Sequence, residues 1–262
     1  MRQRGRLQCQ TWVLVLSVCT LAPLISMSFS APLAEERAPR RALVTGFYDW
    51  RDLGDPPELN RCRENPSCRV LAGEGAGARG FRGPLATRLR AIAKDEGFTH
   101  VDFALLPVTW GSAARLDLTR YHVVIHLGLG VYDTFHQIKV ERGAYNLRRG
   151  RDAAGLNRDE PIESNSAALL KAPTRVERGV EQVLKAQLPP PFRGVLAEAR
   201  EANAYLCNET HYTSLNQLNS ARRGRLREVY FLHIPHAEGG DDGPLSSALE
   251  SMTRVLLSRR SP

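Results

Sequence analysis

The 262-residue sequence predicts an α/β fold, a three-layer α/β/α sandwich with a twisted, mostly parallel mixed sheet. Three observations predict it. Buried strands and amphipathic helices alternate along the chain. The apolar runs 100–106 and 122–127 read as strands buried on both faces, as parallel strands are. The composition, 42% hydrophobic and 24% charged, is that of a globular protein, which excludes a collagen, a coiled-coil rod or a largely disordered chain.

The elements follow in chain order. A short buried strand is expected at 41–45, before the two apolar runs. A helix starts at Pro84, carries its apolar residues on one face and stops at Gly97. The second half repeats the alternation, with a helix at 174–188, a weak strand at 195–199, a helix at 208–217, a strong strand at 228–235 and an amphipathic helix at 246–257.

The first 30 residues have the pattern of a signal peptide. Three arginines precede a run without charged residues at 12–27, and small residues follow where a peptidase would cut. The run is short for a membrane span, and an uncleaved anchor is the alternative. We therefore expect an exported protein, periplasmic or secreted, that has no membrane contact after cleavage.

Residues 31–40 are expected to form a polar leader, and 41–262 a single domain. Within that domain, residues 46–83 are rich in glycine and proline, which predicts a loop that acts as a mobile flap or insertion. The formal net charge of +8 falls to about +5 once the leading arginines are removed. Because the basic residues are scattered and not interleaved with aromatics, a solvated face is favoured over a nucleic-acid groove.

Three cysteines remain after cleavage, in a compartment that should be oxidising. Cys62 and Cys68 are close enough along the chain to form a disulfide, which would leave Cys207 free. The sequence by itself leaves the pairing open.

Three side chains follow or close predicted strands, where function gathers in such a sheet. Cys207 precedes a predicted helix, His233 closes the strand at 228–235, and Glu141 follows a glycine turn after another strand. A thiolate nucleophile needs a base, and an imidazole base needs a carboxylate to orient it, so the three residue types suit nucleophilic catalysis. The alternative is structural, with Cys207 a small buried hydrophobe.

Five short motifs, in order, resemble those of pyroglutamyl peptidase I, also called pyrrolidone-carboxylate peptidase. They are Arg-Ala-Leu-Val-Thr-Gly-Phe at 41–47, Asn-Pro-Ser at 65–67, Val-Glu-Arg at 140–142 with Ala144 and Asn146, Leu-Cys-Asn at 206–208, and Phe-Leu-His-Ile-Pro at 231–235. The resemblance spans about residues 41–257 and implies a phosphorylase/hydrolase-like α/β fold. It also implies a cysteine peptidase that removes an N-terminal pyroglutamyl residue.

Residue roles follow from the resemblance. It implies that Cys207 is the nucleophile, His233 the general base and then acid, and Glu141 the carboxylate that orients His233. It places Arg151 beside the oxyanion. The resemblance further implies that two aromatic side chains, Phe47 and Trp50, pack on the pyrrolidone ring; the alternative for Trp50 is a loop aromatic covering the sheet edge.

The sequence departs from the family around the pocket. After Phe47 the family continues with Pro-Phe-Gly-Gly or a close variant, but this chain has Tyr-Asp-Trp-Arg-Asp at 48–52. Leu129 lies near a position where the family often has a glutamine. The specificity is therefore open, and a binding or scaffold protein without turnover, or an amidase of altered specificity, is the alternative.

The expected partners are small peptide substrates with a blocked N-terminus. No cofactor, metal or nucleic acid is predicted, and self-association into a homo-oligomer is left open. His122 and His126 have a ligand-like spacing, but they lie on a predicted strand, where packing is favoured over zinc.

Overall fold

The computed structural model describes residues 39–50, 62–73, 80–221 and 224–258. The predicted signal peptide and most of the polar leader lie outside these residues. No helix in the described part of the chain is long and apolar enough to cross a membrane.

The strands of the described chain are β1 (Arg40–Phe47), β2 (Phe98–Leu106), β3 (Val123–Val131), β4 (Gln137–Glu141), β5 (Gly143–Tyr145), β6 (Arg148–Arg151), β7 (Asn157–Glu160), β8 (Leu169–Lys171), β9 (Arg193–Ala197) and β10 (Glu228–Pro235). One sheet contains six of them, in the order β2-β1-β3-β10-β4-β9. The pairs β2–β1, β1–β3, β3–β10 and β4–β9 are parallel, and β10–β4 is antiparallel. The predicted mostly parallel mixed sheet is confirmed.

The helices of the described chain are α1 (Pro66–Ala72), α2 (Pro84–Asp95), α3 (Thr174–Leu184), α4 (Leu206–Ser220) and α5 (Asp242–Ser258). They cover both faces of the sheet. Alternate side chains of a strand point to opposite faces, so each face offers apolar side chains against which helices pack. On one face, Val44 and Ile125 pack with apolar residues of α1, α2, α3 and α5. On the other face, Leu43, Val124 and Val229 surround Leu215 of α4. The result is the predicted three-layer sandwich.

The central strands β3 and β10 explain why the fold could be predicted from the sequence. Both lie between two neighbours and are covered by helices on both faces, so their sequences are nearly continuous apolar runs. The strand predicted at 228–235 has the same bounds in the structure. Their carboxyl ends form the part of the sheet edge that borders the first turn of α4.

The prediction that residues 46–83 are loop is wrong for part of the segment. Helix α1 lies within it, and Val70 and Leu71 are fully buried in the main core. The helix begins with a side-chain cap, in which Asn65 accepts a hydrogen bond from Ser67 N, and with Pro66 in its first turn. The glycine- and proline-rich composition concealed this short helix. Residues 51–61 and 74–79 lie outside the described residues, so the flap itself stays a prediction.

Two small antiparallel pairs, β5–β8 and β6–β7, lie outside the main sheet. The first is anchored to α4 through Tyr212, which is fully buried and donates a hydrogen bond from its hydroxyl to Ala167 O at 2.7 Å. These pairs therefore support the helix that carries Cys207.

Candidate active site

Cys207 lies in the first turn of α4. The sequence had placed Cys207 just before this helix. The helix begins at Leu206, so Cys207 is part of it. The next residue, Asn208, anchors this turn: its side chain accepts from Tyr145 N at 2.8 Å and donates to Tyr145 O and Leu147 O at 2.8 and 2.9 Å. Because the N–H groups of a first turn lack intrahelical acceptors and the helix dipole is positive there, negative charge is favoured at this end of the helix.

His233 and Glu141 come from neighbouring strands. Since β4 runs antiparallel to β10, with His233 opposite Lys139, Glu141 reaches His233 from the side. His233 Nε2 and Glu141 Oε1 are 2.7 Å apart. The two side chains are only 14% and 9% exposed, so their interaction is weakly screened by water.

The imidazole of His233 is held in its charged form. Burial lowers its pKa, but the Cys207 sulfur and the Glu141 carboxylate both raise it, and the net effect raises the pKa of His233 to about 10. With Nε2 on Glu141, Nδ1 is the nitrogen available to Cys207. Nδ1 is buried and has no hydrogen-bond partner of standard geometry among the described residues.

Two glycines of β3 make room for these side chains. A Cβ on Gly128 would lie 2.8 Å from Cys207 Sγ and 2.7 Å from the Phe231 ring. A Cβ on Gly130 would overlap His233 Nδ1 and lie 2.7 Å from its Cγ. A larger residue at either position would displace the sulfur or the imidazole, because contacts this short are not found between real atoms.

Cys207 lines a mostly apolar cleft of about 420 Å³, which we call the inner cleft. The rings of Trp50 and Tyr205 are nearly parallel there, with centroids 6.3 Å apart. The structure therefore brings both predicted substrate-binding aromatics, Phe47 and Trp50, to the cleft that contains Cys207. The lining residues are Phe47, Trp50, Asn65, Val108, Leu129, Tyr132, Tyr205, Leu206 and Cys207.

The Asn-Pro-Ser motif holds the Phe47 wall in place. Ser67 Oγ accepts a hydrogen bond from Phe47 N at 2.9 Å, and Asn65 Nδ2 donates to Tyr48 O at 3.0 Å. The backbone at the start of the motif is bound by Asp49, whose carboxylate accepts from Asn65 N at 2.7 Å. These buried bonds tie the start of α1 to the end of β1 and so fix one wall of the inner cleft.

A disulfide joins Cys62 and Cys68 next to this wall, and Cys207 is left as a free, half-buried thiol. Both bridged cysteines are fully buried. The pairing that spares Cys207 is therefore the one present in the structure.

Arg151 lies at the end of β6 and is exposed. Its Nε donates to Gly155 O at 3.2 Å, and its carbonyl accepts a hydrogen bond from the Tyr205 hydroxyl at 2.8 Å. Through Tyr205, which lines the inner cleft, Arg151 is connected to the site by its backbone. The role of its guanidinium at the oxyanion stays a prediction.

His122 and His126 have packing roles. His122 Nδ1 accepts from Arg41 N at 3.2 Å, and the buried His126 lies between Thr45 and Ser214, at 2.7 and 2.9 Å from their hydroxyls. Burial lowers the pKa of His126 to about 3. Among the described residues, no group of three or more histidine, cysteine or acidic side chains could hold a metal ion.

His211, one helical turn after Cys207, is a second buried neutral histidine. Burial lowers its pKa to about 3, with smaller contributions from His126 and His233, and its ring lies 5.8 Å from that of Phe231. Neither ring nitrogen has a hydrogen-bond partner among the described residues. The positive charge of the histidines in this region is therefore concentrated on His233.

Solved structures of pyrrolidone carboxyl and pyroglutamyl peptidases match this architecture. The enzyme from Thermus thermophilus is 24% identical over 83% of this chain and 98% of its own, with a TM-score of 0.52. The Thermococcus litoralis enzyme is 19% identical over 82% of this chain and 92% of its own, with a TM-score of 0.54. Bacillus amyloliquefaciens pyroglutamyl peptidase I is 18% identical over 83% of this chain and 97% of its own, with a TM-score of 0.53. The chain has a pyroglutamyl peptidase I-like fold. No family model and no curated protein matches the sequence.

Within this pyroglutamyl peptidase I-like fold, several residues of the site were missed from the sequence. Tyr132 and Tyr205 line the inner cleft, and Gly128 and Gly130 lie beneath the sulfur and the imidazole. The glycine pair could have been interpreted as a site of close side-chain approach. The tyrosines had no comparable signal, because their position depends on how the turns after β3 and before α4 fold.

Proposed function

We propose that this chain is a cysteine peptidase that removes an N-terminal pyroglutamyl residue from peptides. The observation that supports the proposal best is the grouping of Cys207, His233 and Glu141 beside an aromatic cleft that Cys207 lines. A flat lactam ring fits between aromatic walls, which bury its methylene groups. The fold that the chain shares with pyroglutamyl peptidases agrees with this substrate.

The reaction proceeds in two steps. The Cys207 thiolate attacks the carbonyl carbon of the pyroglutamyl residue, and a C–S bond forms as the carbonyl oxygen becomes an oxyanion. His233 Nδ1 gives its proton to the amide nitrogen, the C–N bond breaks, and the shortened peptide leaves as an amine. The carbonyl re-forms as a thioester on Cys207.

Water then completes the turnover. His233, now neutral, takes a proton from a water molecule that attacks the thioester, and the C–S bond breaks to release pyroglutamate and the thiolate. Glu141 holds the imidazole through Nε2 and stabilises its positive charge in each step. The oxyanion is stabilised by the Cys207 backbone N–H at the start of α4 and, as the resemblance implies, by Arg151.

A pyroglutamyl fluorogenic amide tests the proposal. The mature chain should release the fluorophore, and treatment with a thiol alkylator should stop the release. Cys207→Ala should lower turnover by a factor on the order of 10⁴ to 10⁶, while its melting temperature stays within about 5 °C of the parent, because a small side chain becomes slightly smaller. An equally stable Cys207→Ala variant that keeps its turnover would contradict the assigned nucleophile.

We also propose that the chain is exported. The pattern of its first 30 residues is that of a signal peptide, and a structural disulfide such as Cys62–Cys68 is typical of oxidising compartments. Sequencing the N-terminus of the protein purified from its native cell should give a start near residue 31. An intact Met1 on a cytosolic protein would contradict export.

A further inference from the structure

The cleft does not end at Cys207. A second space of about 680 Å³, which we call the outer cleft, is lined by Trp50, Glu64, Asn65, Leu129, Tyr132 and His236. Trp50, Asn65, Leu129 and Tyr132 also line the inner cleft, so the two spaces are continuous. The outer cleft is lined by neither Phe47 nor Cys207, and so it lies beyond the reacting sulfur. A pyroglutamyl ring in the inner cleft leaves this space unused.

The direction of the bound peptide follows from the chemistry. His233 must give its proton to the leaving amine, so that amine and the residue attached to it lie on the His233 side of the scissile bond. Leu129 and Tyr132 line the inner cleft together with Cys207 and also line the outer cleft, so the outer cleft adjoins the scissile bond. With the ring in the inner cleft, the residue that follows it can therefore reach the outer cleft.

The walls of the outer cleft are aromatic and open to water. Tyr132 is 69% exposed and Trp50 is 48% exposed, so both rings leave apolar surface open to water. The Tyr132 ring is supported by the His236 ring, with centroids 6.2 Å apart. A large apolar side chain placed between these rings would remove their exposed apolar surface from water, which favours binding in proportion to the area covered.

We propose that the outer cleft binds the side chain of the residue that follows the pyroglutamyl ring, and that Tyr132 makes it prefer a large apolar or aromatic side chain. This inference rests on the function proposed above. The one acidic lining residue, Glu64, makes preference for a basic residue the main competing result.

The experiment uses five pyroglutamyl dipeptide amides, with phenylalanine, leucine, alanine, lysine or glutamate after the ring. Specificity constants are measured for the parent chain, for Tyr132→Ala and for a matched control, Phe135→Ala. Phe135 is also an exposed aromatic, 46% exposed, but it lines neither cleft. The control therefore removes a ring of similar exposure from a position outside the proposed site.

For the parent chain we expect the phenylalanine substrate to exceed the alanine substrate in kcat/KM by about tenfold, the effect of burying part of one aromatic side chain. Tyr132→Ala should reduce this ratio to about twofold, whereas Phe135→Ala should leave it unchanged. Three results would each overturn this inference while the proposed function stands. They are equal kcat/KM values for the phenylalanine and alanine substrates, the highest kcat/KM for the lysine substrate, and a phenylalanine-to-alanine ratio that Tyr132→Ala does not change. Absence of turnover with all five substrates would overturn both.

Discussion

The floor and the mouth of the site are built differently. The floor consists of His233 and Glu141 on paired strands and Cys207 on an anchored helix turn, and these side chains are mostly buried. The mouth consists of Trp50 and Tyr132, which lie on loops and are 48% and 69% exposed. Strands and a helix turn hold the side chains of the floor and so fix the distances on which proton transfer depends. Loops hold the side chains of the mouth, so these can be substituted without moving the reacting atoms. This division explains how the chain can match the family's motifs at the floor and depart from them at the mouth.

The largest effect expected in the floor, after loss of the sulfur itself, comes from Glu141→Gln. It removes the negative charge that helps to raise the pKa of His233, so that pKa should fall. We expect kcat/KM to drop by about 10² to 10⁴, and the alkaline limb of its pH profile to move from near pH 10 to lower pH. Glu198→Gln, which changes an exposed carboxylate bonded to Arg142, is the control and should leave the profile unchanged.

The His233–Glu141 pair also makes the stability of the fold depend on pH. Because the pKa of His233 is raised in the folded state to about 10, its contribution is fully present below the unfolded value near 6.5 and is lost as the pH rises through 10. In Glu141→Gln the folded-state pKa is lower, so this loss should be smaller in total and complete at a lower pH. Melting temperatures measured between pH 6 and pH 10.5 test this, and parallel curves for the two proteins would contradict the assigned pairing.

Gly130→Ala should have the next largest effect. The new methyl group would overlap the His233 ring, so the imidazole must move away from its position over β3. We expect activity to fall by about 100-fold and the free energy of unfolding to fall by about 1–3 kcal/mol.

Gly194→Ala on β9 is the matched control for Gly130→Ala. Its methyl group would meet the flexible end of Met252 at 3.3 Å, far from the chemistry. It should keep the activity of the parent. If both variants were equally active, the close approach of His233 to β3 would have no role in the reaction.

The smallest effect is expected at the disulfide, on the mouth side. Replacing Cys62 and Cys68 together with alanine removes a short cross-link that restricts the unfolded chain, and we expect the free energy of unfolding to fall by about 2 kcal/mol. The floor does not depend on this bridge, so kcat should change by less than about threefold, and KM should rise because the Phe47 wall loosens. Urea unfolding and steady-state kinetics check these two values. A loss of kcat as large as that of Gly130→Ala would show that floor and mouth are not separable.

The predictable parts of the fold were the ones with strong periodicity. Strand β10 and helix α2 could be placed from their apolar patterns, because burial on both faces or along one stripe leaves a clear signal. Strand β4 was missed although Ile138 and Val140 alternate with polar residues, since five residues are too few to stand out. Helix α1 was missed because glycines and prolines surround it.

The residues of the site also fall into those that the sequence indicated and those that it did not. Cys207, His233 and Glu141 could be selected because each residue type has a role in one kind of chemistry, and the structure brings them together. Tyr132 and Tyr205 could not be selected, because aromatic residues are common and the ones that line a cleft are decided by turn geometry. Sequence therefore indicated the chemistry better than the surface that would choose the substrate.

Trapping the acyl group on the enzyme tests the central claim most directly. The mature chain is mixed with a pyroglutamyl amide, quenched in acid within milliseconds of mixing, digested and analysed by mass spectrometry. We predict a pyroglutamyl adduct on the peptide that contains Cys207, and no adduct in Cys207→Ala. Rapid turnover with the peptide unmodified at every quench time, or with the adduct on another residue, would contradict the account.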